Sequence, residues 1–341
     1  MPFLGFGGYA LSKHKAMVKG DPFEVSAGIR SLKQAGQRVA RKAREIVTGL
    51  REGLGEREAG GIRPENIIWI FGAGRTGSTW LSRMMGDIGG SAVWFEPWVG
   101  ALFDPHHLKL ERRKGKSFIL TPHYRDVWLG SIRSIVLDGA RARFPELAKS
   151  DYLVVKEPGG SAGAPLLMEA FVESKMVLSV RDPRDVVASW VDAQSKGSWL
   201  KEQGKERRPS PEFVDERARV YAKNVGGARK AYDSHEGRKV LVRYEDLRTD
   251  TLGTMKRIYS ALEIPVDEGE LTRAVEKHCR EHLPEQERGQ GKFYRKAKPG
   301  GWREDLTPEQ AERVERITAP LFDELYPELK TSHGLVSATS W

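Results

Sequence analysis

A glycine-rich loop carries the residues whose types and spacing best fit a chemical role. It follows an apolar run at residues 67–71 and reads GAGRTGSTW from residue 72 to residue 80. Backbone N–H groups at the start of a helix, together with the helix dipole, bind anionic oxygens. The sequence therefore predicts a phosphate or sulfate site here, and the candidate ligands are Arg75, Thr76, Gly77, Ser78 and Thr79.

Parts of this loop also occur in two other kinds of nucleotide site. A Walker A loop requires lysine at position 78, where this chain has serine, and the only cation in the loop is Arg75. ATP hydrolysis is therefore disfavoured. A dinucleotide site requires the glycines and an acidic residue about twenty positions later, which Glu96 supplies. An NAD(P)-dependent oxidoreductase with a Rossmann GxGxxG loop thus stays open as an alternative.

A second candidate anion site follows the apolar run at residues 176–180. Arg181 comes at the end of this run, and Ser189 lies eight positions later in a predicted helix. Ligands bind at the carboxyl ends of the strands in open α/β sheets, and a guanidinium there can hold a phosphate with two hydrogen bonds. NAD has no need for a second phosphate site at this strand. A helical ion pair between Arg181 and Asp185 is the structural alternative.

A third basic cluster lies near the end of the chain, at residues 295–302, with the sequence RKAKPGGW. A basic loop that contains glycines can fold over an anionic ligand, and Arg295 and Lys296 are its candidate contacts. Taken alone, the cluster is typical of a solvated run of charges. Its interpretation therefore depends on the two sites that precede it.

The elements that would position these residues alternate along the chain. Short apolar runs are separated by stretches with helical periodicity, which predicts an α/β fold in three layers with a mainly parallel sheet. The first loop then has the P-loop-like arrangement of strand, glycine loop and helix. Predicted strands cover residues 67–71, 92–95, 152–156, 176–180 and 240–244, and predicted helices cover residues 78–87, 124–140, 165–174, 183–195, 213–234, 252–262, 268–282 and 308–321.

The start of the chain differs from the rest. Apolar and small residues at steps of four and three predict a long helix over residues 25–50, whose other faces are basic. Such a helix fits peripheral membrane contact or dimerisation. We predict a basic helical extension and linker at residues 1–62, one large domain at residues 63–330 and a tail at residues 331–341.

The composition excludes some broad classes of protein. With 39% hydrophobic and 30% charged residues, the chain predicts a globular fold, and it has no apolar stretch of the roughly 18 residues that a membrane span needs. Its single cysteine, Cys279, cannot form an internal disulfide, and the N-terminus lacks a signal-peptide pattern, so a cytoplasmic protein is expected. A net charge of +9 favours anionic partners, which keeps a nucleic-acid or membrane-binding module as a further hypothesis.

Together, the three clusters resemble the sulfotransferase family that uses 3′-phosphoadenosine 5′-phosphosulfate (PAPS), over roughly residues 67–325. In that family the first loop holds the 5′-phosphosulfate, and residues 74–80 match the branch with arginine in place of lysine. Arg181 and Ser189 match the pair that binds the 3′-phosphate. Residues 295–302 match the C-terminal basic loop, with alanine where one glycine is usual.

The general base is assigned by resemblance to particular branches of this family. The cytosolic branch has a histidine two residues after a lysine at the end of the middle strand, whereas this chain reads VKEP from residue 155. Tyrosyl-protein and bacterial glycolipid branches use a glutamate about twenty residues beyond the loop arginine, and Glu96 is similar in position. This implies Glu96 as the base, with Arg75 and Lys156 stabilising the transferring group and the leaving phosphate. Glu157 and His123 are reserve bases, and an ion pair at the sheet edge is the alternative role of Glu157.

The same resemblance implies the partners. PAPS is the expected co-substrate, and Trp80 would lie near its adenine. No metal is implied, because arginine and lysine already fill the cation roles. The expected acceptor is a small molecule or a glycan and not a nucleic acid. The Glu96 arrangement favours a carbohydrate or glycolipid hydroxyl, followed by a small phenol or a tyrosine.

Overall fold

The computed structural model describes residues 61–104, 121–194, 210–279 and 298–329. Within these ranges, five parallel strands form one sheet in the order β2-β3-β1-β4-β5. Their bounds are β1 Ile67–Gly72, β2 Ser91–Phe95, β3 Tyr152–Lys156, β4 Lys175–Val180 and β5 Lys239–Arg243. The mainly parallel sheet that the sequence predicts is thus confirmed.

The central strand β1 shows why the fold has three layers. All six of its residues are buried, and alternate side chains point to opposite faces of the sheet. Trp69 and Phe71 enter one apolar cluster, where their rings stack with centroids 5.5 Å apart, whereas Ile68 and Ile70 enter a second cluster. Each cluster also contains buried side chains from helices, so both faces of the sheet are covered.

The described helices are α1 Ser78–Gly86, α2 Val99–Leu102, α3 Arg125–Arg143, α4 Ala164–Ala170, α5 Pro183–Ala193, α6 Pro211–Ser234, α7 Tyr244–Thr249, α8 Thr251–Ala261, α9 Glu268–Lys277 and α10 Pro308–Leu325. The helices α5, α6 and α10 begin with proline after a residue whose side chain accepts a hydrogen bond from the first turn. These capping residues are Asp182, Ser210 and Thr307. The N–H of the first helical residue has no hydrogen-bond partner within a helix, so proline, which lacks this group, costs nothing there. The capping side chain satisfies an N–H later in the first turn, and both features stabilise these helix starts.

Several predicted element boundaries were wrong, among them the end of the helix predicted over residues 268–282, which the structure places at Lys277. The helix predicted over residues 165–174 ends at Ala170, because the Phe171 carbonyl accepts hydrogen bonds from both the amide and the hydroxyl of Ser174. The strand predicted over residues 240–244 ends at Arg243, where pairing with Val180 stops, and Tyr244 begins α7. The short helices α2 and α7 were not predicted.

The chain changes direction in the middle of the sheet. From β1 it continues to β2 at one edge, and from β3 it crosses to β4 on the other side of β1. Connections that leave neighbouring strands in opposite directions open a crevice at the carboxyl ends of those strands, which is where open α/β sheets bind ligands. The carboxyl ends of β1, β3 and β4 therefore form the candidate site.

Several sequence predictions fall outside the described ranges. These are the helix at residues 25–50, the tail at residues 331–341, and both Arg295 and Lys296. Among the described helices, none combines the length and the apolar character that spanning a bilayer requires.

Candidate active site

The loop after β1 is held in shape by its own residues. Arg75 and Gly77 both have left-handed backbones, with φ of 72° and 84°. The Thr76 hydroxyl donates to the carbonyl of Ala73 at 2.9 Å and accepts from the hydroxyl of Ser179 at 3.1 Å. Thr76 is thus buried and stabilises the loop with its side chain, which leaves its backbone as the group that could meet a ligand.

The helix α1 begins without a side-chain cap, unlike α5. Gly77 occupies the N-cap position of α1 and contributes no side chain, whereas the Asp182 carboxylate accepts from the Arg184 amide at 2.9 Å at the start of α5. Ser78 and Thr79 form the first turn of α1 and are buried. The first N–H groups of a helix have no partner within it, so an anion can be bound at the start of α1.

Gly77→Ala is expected to lower the free energy of unfolding by about 1–3 kcal/mol, since a non-glycine residue with positive φ is strained. The added Cβ would also lie 2.6 Å from Cδ2 of Tyr244. Gly130→Ala is the matched control, because its Cβ would meet nothing within 4 Å in the middle of α3. That variant should be more stable than the wild type by about 0.5–1 kcal/mol. Urea unfolding measures both, and equal stabilities for the two variants would contradict the strained turn.

Arg75, Arg181 and Ser189 meet at the carboxyl ends of β1 and β4. The Arg75 Nε donates to the Ser189 hydroxyl at 3.0 Å, and the Arg181 guanidinium donates to the Arg75 carbonyl at 3.2 Å. The Arg181 guanidinium also lies 4.3 Å from the ring centroid of Tyr244, on the neighbouring strand end. The two anion sites predicted from separate motifs are therefore adjacent, with two guanidinium groups in one crevice.

Asp185 connects this crevice to the C-terminal basic cluster. Its carboxylate accepts from the amides of Gly300 and Trp302, each at 2.8 Å, and lies 3.7 Å from the Arg181 guanidinium. Burial raises the pKa of Asp185, against the lowering effect of Arg181, and the neighbouring Asp182 raises it further. The Arg181–Asp185 ion pair that the sequence offered as an alternative is present, and it coexists with the contact to Arg75.

Buried side chains hold the backbone that follows β4. The Tyr221 hydroxyl donates to the Arg181 carbonyl at 2.9 Å, and the Glu245 carboxylate accepts from the Asp182 amide at 3.1 Å. Arg184 lies between Asp182 and Glu315, with its guanidinium 2.7 Å from the first carboxylate and 2.6 Å from the second. These contacts fix the position from which the Arg181 side chain extends.

The other two predicted catalytic residues, Glu96 and Lys156, are in direct contact through carboxylate and ammonium. Lys156 is 3% exposed, and its Nζ lies 4.2 Å from the ring centroid of Phe95. Burial lowers the pKa of Lys156, the contact with Glu96 opposes this, and the nearby charge of Arg75 lowers it again. The Glu96 side chain keeps 37% of its surface exposed, so the pair is open to solvent on the Glu96 side.

The turn that carries Glu96 has a strained backbone. Glu96 and Trp98, on either side of Pro97, have left-handed φ angles of 48° and 58°, each of which costs about 1–3 kcal/mol in a non-glycine residue. The Glu96 amide donates to the Lys156 carbonyl at 2.9 Å, and the Trp98 amide donates to the Glu157 carboxylate at 2.9 Å. Strain of this kind is concentrated at functional sites, where surrounding contacts hold it in place.

The remaining candidates lie at different depths. Glu157 is 1% exposed, and burial raises its pKa to about 7. His123 is exposed and contacts the ring of Tyr124, with centroids 4.6 Å apart. Trp80 is half-buried, and its Nε1 donates to the His278 carbonyl at 2.8 Å, which links α1 to the end of α9.

Sequence reasoning missed Tyr244 and one of the two contacts of Asp185. Tyr244 contacts both the Arg181 guanidinium and the backbone at Gly77, and Asp185 holds the loop at residues 300–302. The available signal for Tyr244 was its place directly after the strand that neighbours β4. No group of three or more histidine, cysteine, aspartate or glutamate side chains suited to a metal occurs within the described ranges.

Comparison with known proteins identifies a family for most of the chain. The family profile described as "Sulfotransferase domain" matches residues 65–326. No curated protein sequence matches the chain.

Solved structures that match this chain include sulfotransferase STF9 from Mycobacterium avium, with 15% identity, 77% of each chain covered and a TM-score of 0.47. Mouse sulfotransferase SULT7A1 complexed with PAP has 14% identity, covers 81% of this chain and 88% of its own, and has a TM-score of 0.47. Sulfotransferase STF1 from Mycobacterium tuberculosis H37Rv has 18% identity, covers 79% of this chain and 80% of its own, and has a TM-score of 0.44.

The family profile extends from the start of the sheet to the end of α10 and includes both arginine sites and the Glu96–Lys156 pair. This chain therefore belongs to the PAPS-dependent sulfotransferase family.

Proposed function

We propose that this enzyme transfers the sulfuryl group of PAPS to a hydroxyl of a carbohydrate or glycolipid, with Glu96 as the general base. The observation that carries the proposal is that two arginine sites and a carboxylate–ammonium pair all lie at the carboxyl ends of the strands. Arg75 contacts Ser189, Arg181 contacts the backbone of Arg75, and Glu96 contacts Lys156.

The donor end of the crevice has the chemistry that a nucleotide with two anionic ends requires. The uncapped start of α1 and Arg75 would hold the 5′-phosphosulfate, and Arg181 and Ser189 would hold the 3′-phosphate. The Nε of Arg181 supports this fit, because it is buried without a hydrogen-bond partner among the described residues. Arg295 and Lys296, which lie outside the described ranges, stay predicted contacts of the same anion, and Trp80 would lie near the adenine.

Sulfuryl transfer is an in-line displacement that depends on position and charge, as phosphoryl transfer does. The acceptor oxygen forms a bond to sulfur while the bond between sulfur and the bridging phosphate oxygen breaks. Glu96 takes the hydroxyl proton, which its partial exposure allows. Lys156 and Arg75 offset the negative charge on the sulfonate and on the leaving phosphate. The products are a sulfated acceptor and adenosine 3′,5′-bisphosphate.

The surface beside Glu96 favours an acceptor with both a sugar and an apolar part. Phe95, Trp98 and Leu102 are 46%, 54% and 59% exposed, which is high for large apolar side chains. Aromatic rings stack on the C–H faces of sugars, and an aliphatic side chain can contact a lipid chain. A small phenol is the next candidate, because it would use the aromatic rings alone.

The limits of the domain are part of the same proposal. We place the sulfotransferase domain at residues 63–330, after a basic extension at residues 1–62. A cytoplasmic location and contact of residues 25–50 with a membrane surface or a second copy stay predictions.

Turnover of PAPS with a glycolipid, a free sugar, a small phenol and a tyrosine peptide tests the acceptor class. We expect the highest kcat/KM for the glycolipid, and we expect Trp98→Ala to raise its KM by about 3- to 10-fold, since one aromatic contact is lost. Val172→Ala is the control, because Val172 is also a large exposed apolar residue, at 64%, and lies beyond α4. A higher kcat/KM for the phenol than for the glycolipid would overturn the proposed acceptor class. A rise in the melting temperature of the protein with NADH, and none with adenosine 3′,5′-bisphosphate, would overturn the proposed sulfuryl transfer.

A further inference from the structure

We infer that Glu157 is a positioning residue that holds the turn carrying Glu96 and thereby sets the geometry of the Glu96–Lys156 pair. The inference rests on the proposed function, because it concerns the base of that reaction. Glu157 is the residue after Lys156, and its carboxylate extends from the end of β3 to the turn that follows β2.

The carboxyl group of Glu157 occupies a space that the backbone leaves for it. Its Oε2 accepts from the Trp98 amide at 2.9 Å, and the Gly100 backbone also acts as a hydrogen-bond donor to the carboxylate. A Cβ at Gly160 would lie 2.0 Å from Oε1, so the absence of a side chain at this glycine makes room for the carboxylate. Burying a carboxylate is costly for stability, which points to a role other than stability.

The turn depends for its hydrogen bonds on the last residue of β3 and the residue that follows it. The Glu96 amide is held by the Lys156 carbonyl, and the Trp98 amide is held by the Glu157 carboxylate. Both turn residues have left-handed φ, and a residue before proline normally adopts an extended backbone. Loss of the carboxylate would leave the Trp98 amide without this partner, and the turn would relax away from the geometry in which Glu96 meets Lys156.

The protonation state of Glu157 changes this contact near neutral pH. Burial raises its pKa to about 7, although the backbone hydrogen bonds from Trp98 and Gly100 lower it. The charge of Glu96 raises this pKa further, and Lys156 lowers it. The helix α6 packs against residues 161–163, close to Glu157 in the chain, and its Lys223 forms an ion pair with Asp104. The ionised carboxylate is the stronger acceptor for the Trp98 amide. Turnover should therefore rise as pH increases through the pKa of Glu157.

The test measures kcat for PAPS turnover between about pH 5.5 and 9 in the full chain, together with the affinity for adenosine 3′,5′-bisphosphate. We expect Glu157→Gln to lose the wild-type inflection near neutral pH, because its amide does not titrate. Gly160→Ala should lower kcat by about tenfold without changing nucleotide affinity, because it displaces the carboxylate. Glu236→Gln is the control, since Glu236 is exposed and precedes β5 at the amino edge of the sheet.

The amide signal of Trp98 in a 15N-tryptophan NMR spectrum gives a readout that does not require turnover. It should titrate near neutral pH in the wild type and stay constant in Glu157→Gln. A constant signal in the wild type, or a wild-type pH profile in Glu157→Gln, overturns the role of Glu157. A titrating Trp98 amide with no turnover for any acceptor supports the hydrogen bond and counts against the proposed function alone.

Discussion

Glu96→Gln is expected to reduce kcat for sulfuryl transfer by about 100- to 10,000-fold, which is the usual contribution of a general base. This corresponds to about 3–5 kcal/mol of transition-state stabilisation. Glutamine has the same shape as glutamate and can still accept a hydrogen bond from Lys156, but it cannot take the acceptor proton. The affinity for adenosine 3′,5′-bisphosphate should change less than about threefold, because the nucleotide contacts assigned to Arg181 and Ser189 do not involve Glu96.

Single-turnover rates and calorimetric nucleotide affinities distinguish the two effects. Glu236→Gln removes one exposed carboxylate from the opposite edge of the sheet and should behave as the wild type. Glu96→Asp should recover part of the lost rate, since it restores a carboxylate that is one methylene shorter. Equal losses of kcat and of nucleotide affinity in Glu96→Gln would show that this residue supports the donor site and is not the base.

The parts of the fold that the sequence predicts well are those encoded by contiguous residues. The strand β1, the glycine loop and α1 follow one another without interruption, so the apolar run, the glycines and the start of the helical pattern predict them as one unit. The start of α5 was predicted in the same way, because Asp182 and Pro183 are a cap and a first helical residue in sequence as well as in structure. Local patterns of this kind also yielded four of the five strands almost to the residue.

Contacts between distant residues explain what the sequence could not provide. Asp185 binds Gly300, which lies 115 residues further along the chain, and Tyr244 contacts a glycine turn that precedes it by most of the domain. Strand order decides these contacts, and parallel crossovers with similar lengths do not reveal it. The burial of Glu157 likewise depends on Gly160 and Trp98 meeting around it, whereas its sequence position suggested only a reserve base or an ion pair.

Arg181→Ala is expected to weaken binding of adenosine 3′,5′-bisphosphate by about 10- to 100-fold, since a hydrogen bond to a charged group contributes about 1.5–3 kcal/mol. AMP lacks the 3′-phosphate, so its affinity should change less than about threefold. Arg181→Lys should give an intermediate loss, because lysine keeps the charge but cannot form two parallel hydrogen bonds. Calorimetric titration of both nucleotides into each variant measures these differences.

The comparison with AMP is what separates two roles that the geometry gives to Arg181. Its guanidinium donates to the Arg75 carbonyl and lies against Tyr244, so its removal could also disturb the first loop. A disturbed loop would weaken both nucleotides equally, and that result would assign Arg181 to loop support and not to the 3′-phosphate. Arg238→Ala is the matched control, because Arg238 pairs with Glu263 at the amino edge of the sheet and its loss should leave both affinities unchanged. A selective loss for the nucleotide with two phosphate groups therefore requires that Arg181 contacts the second one.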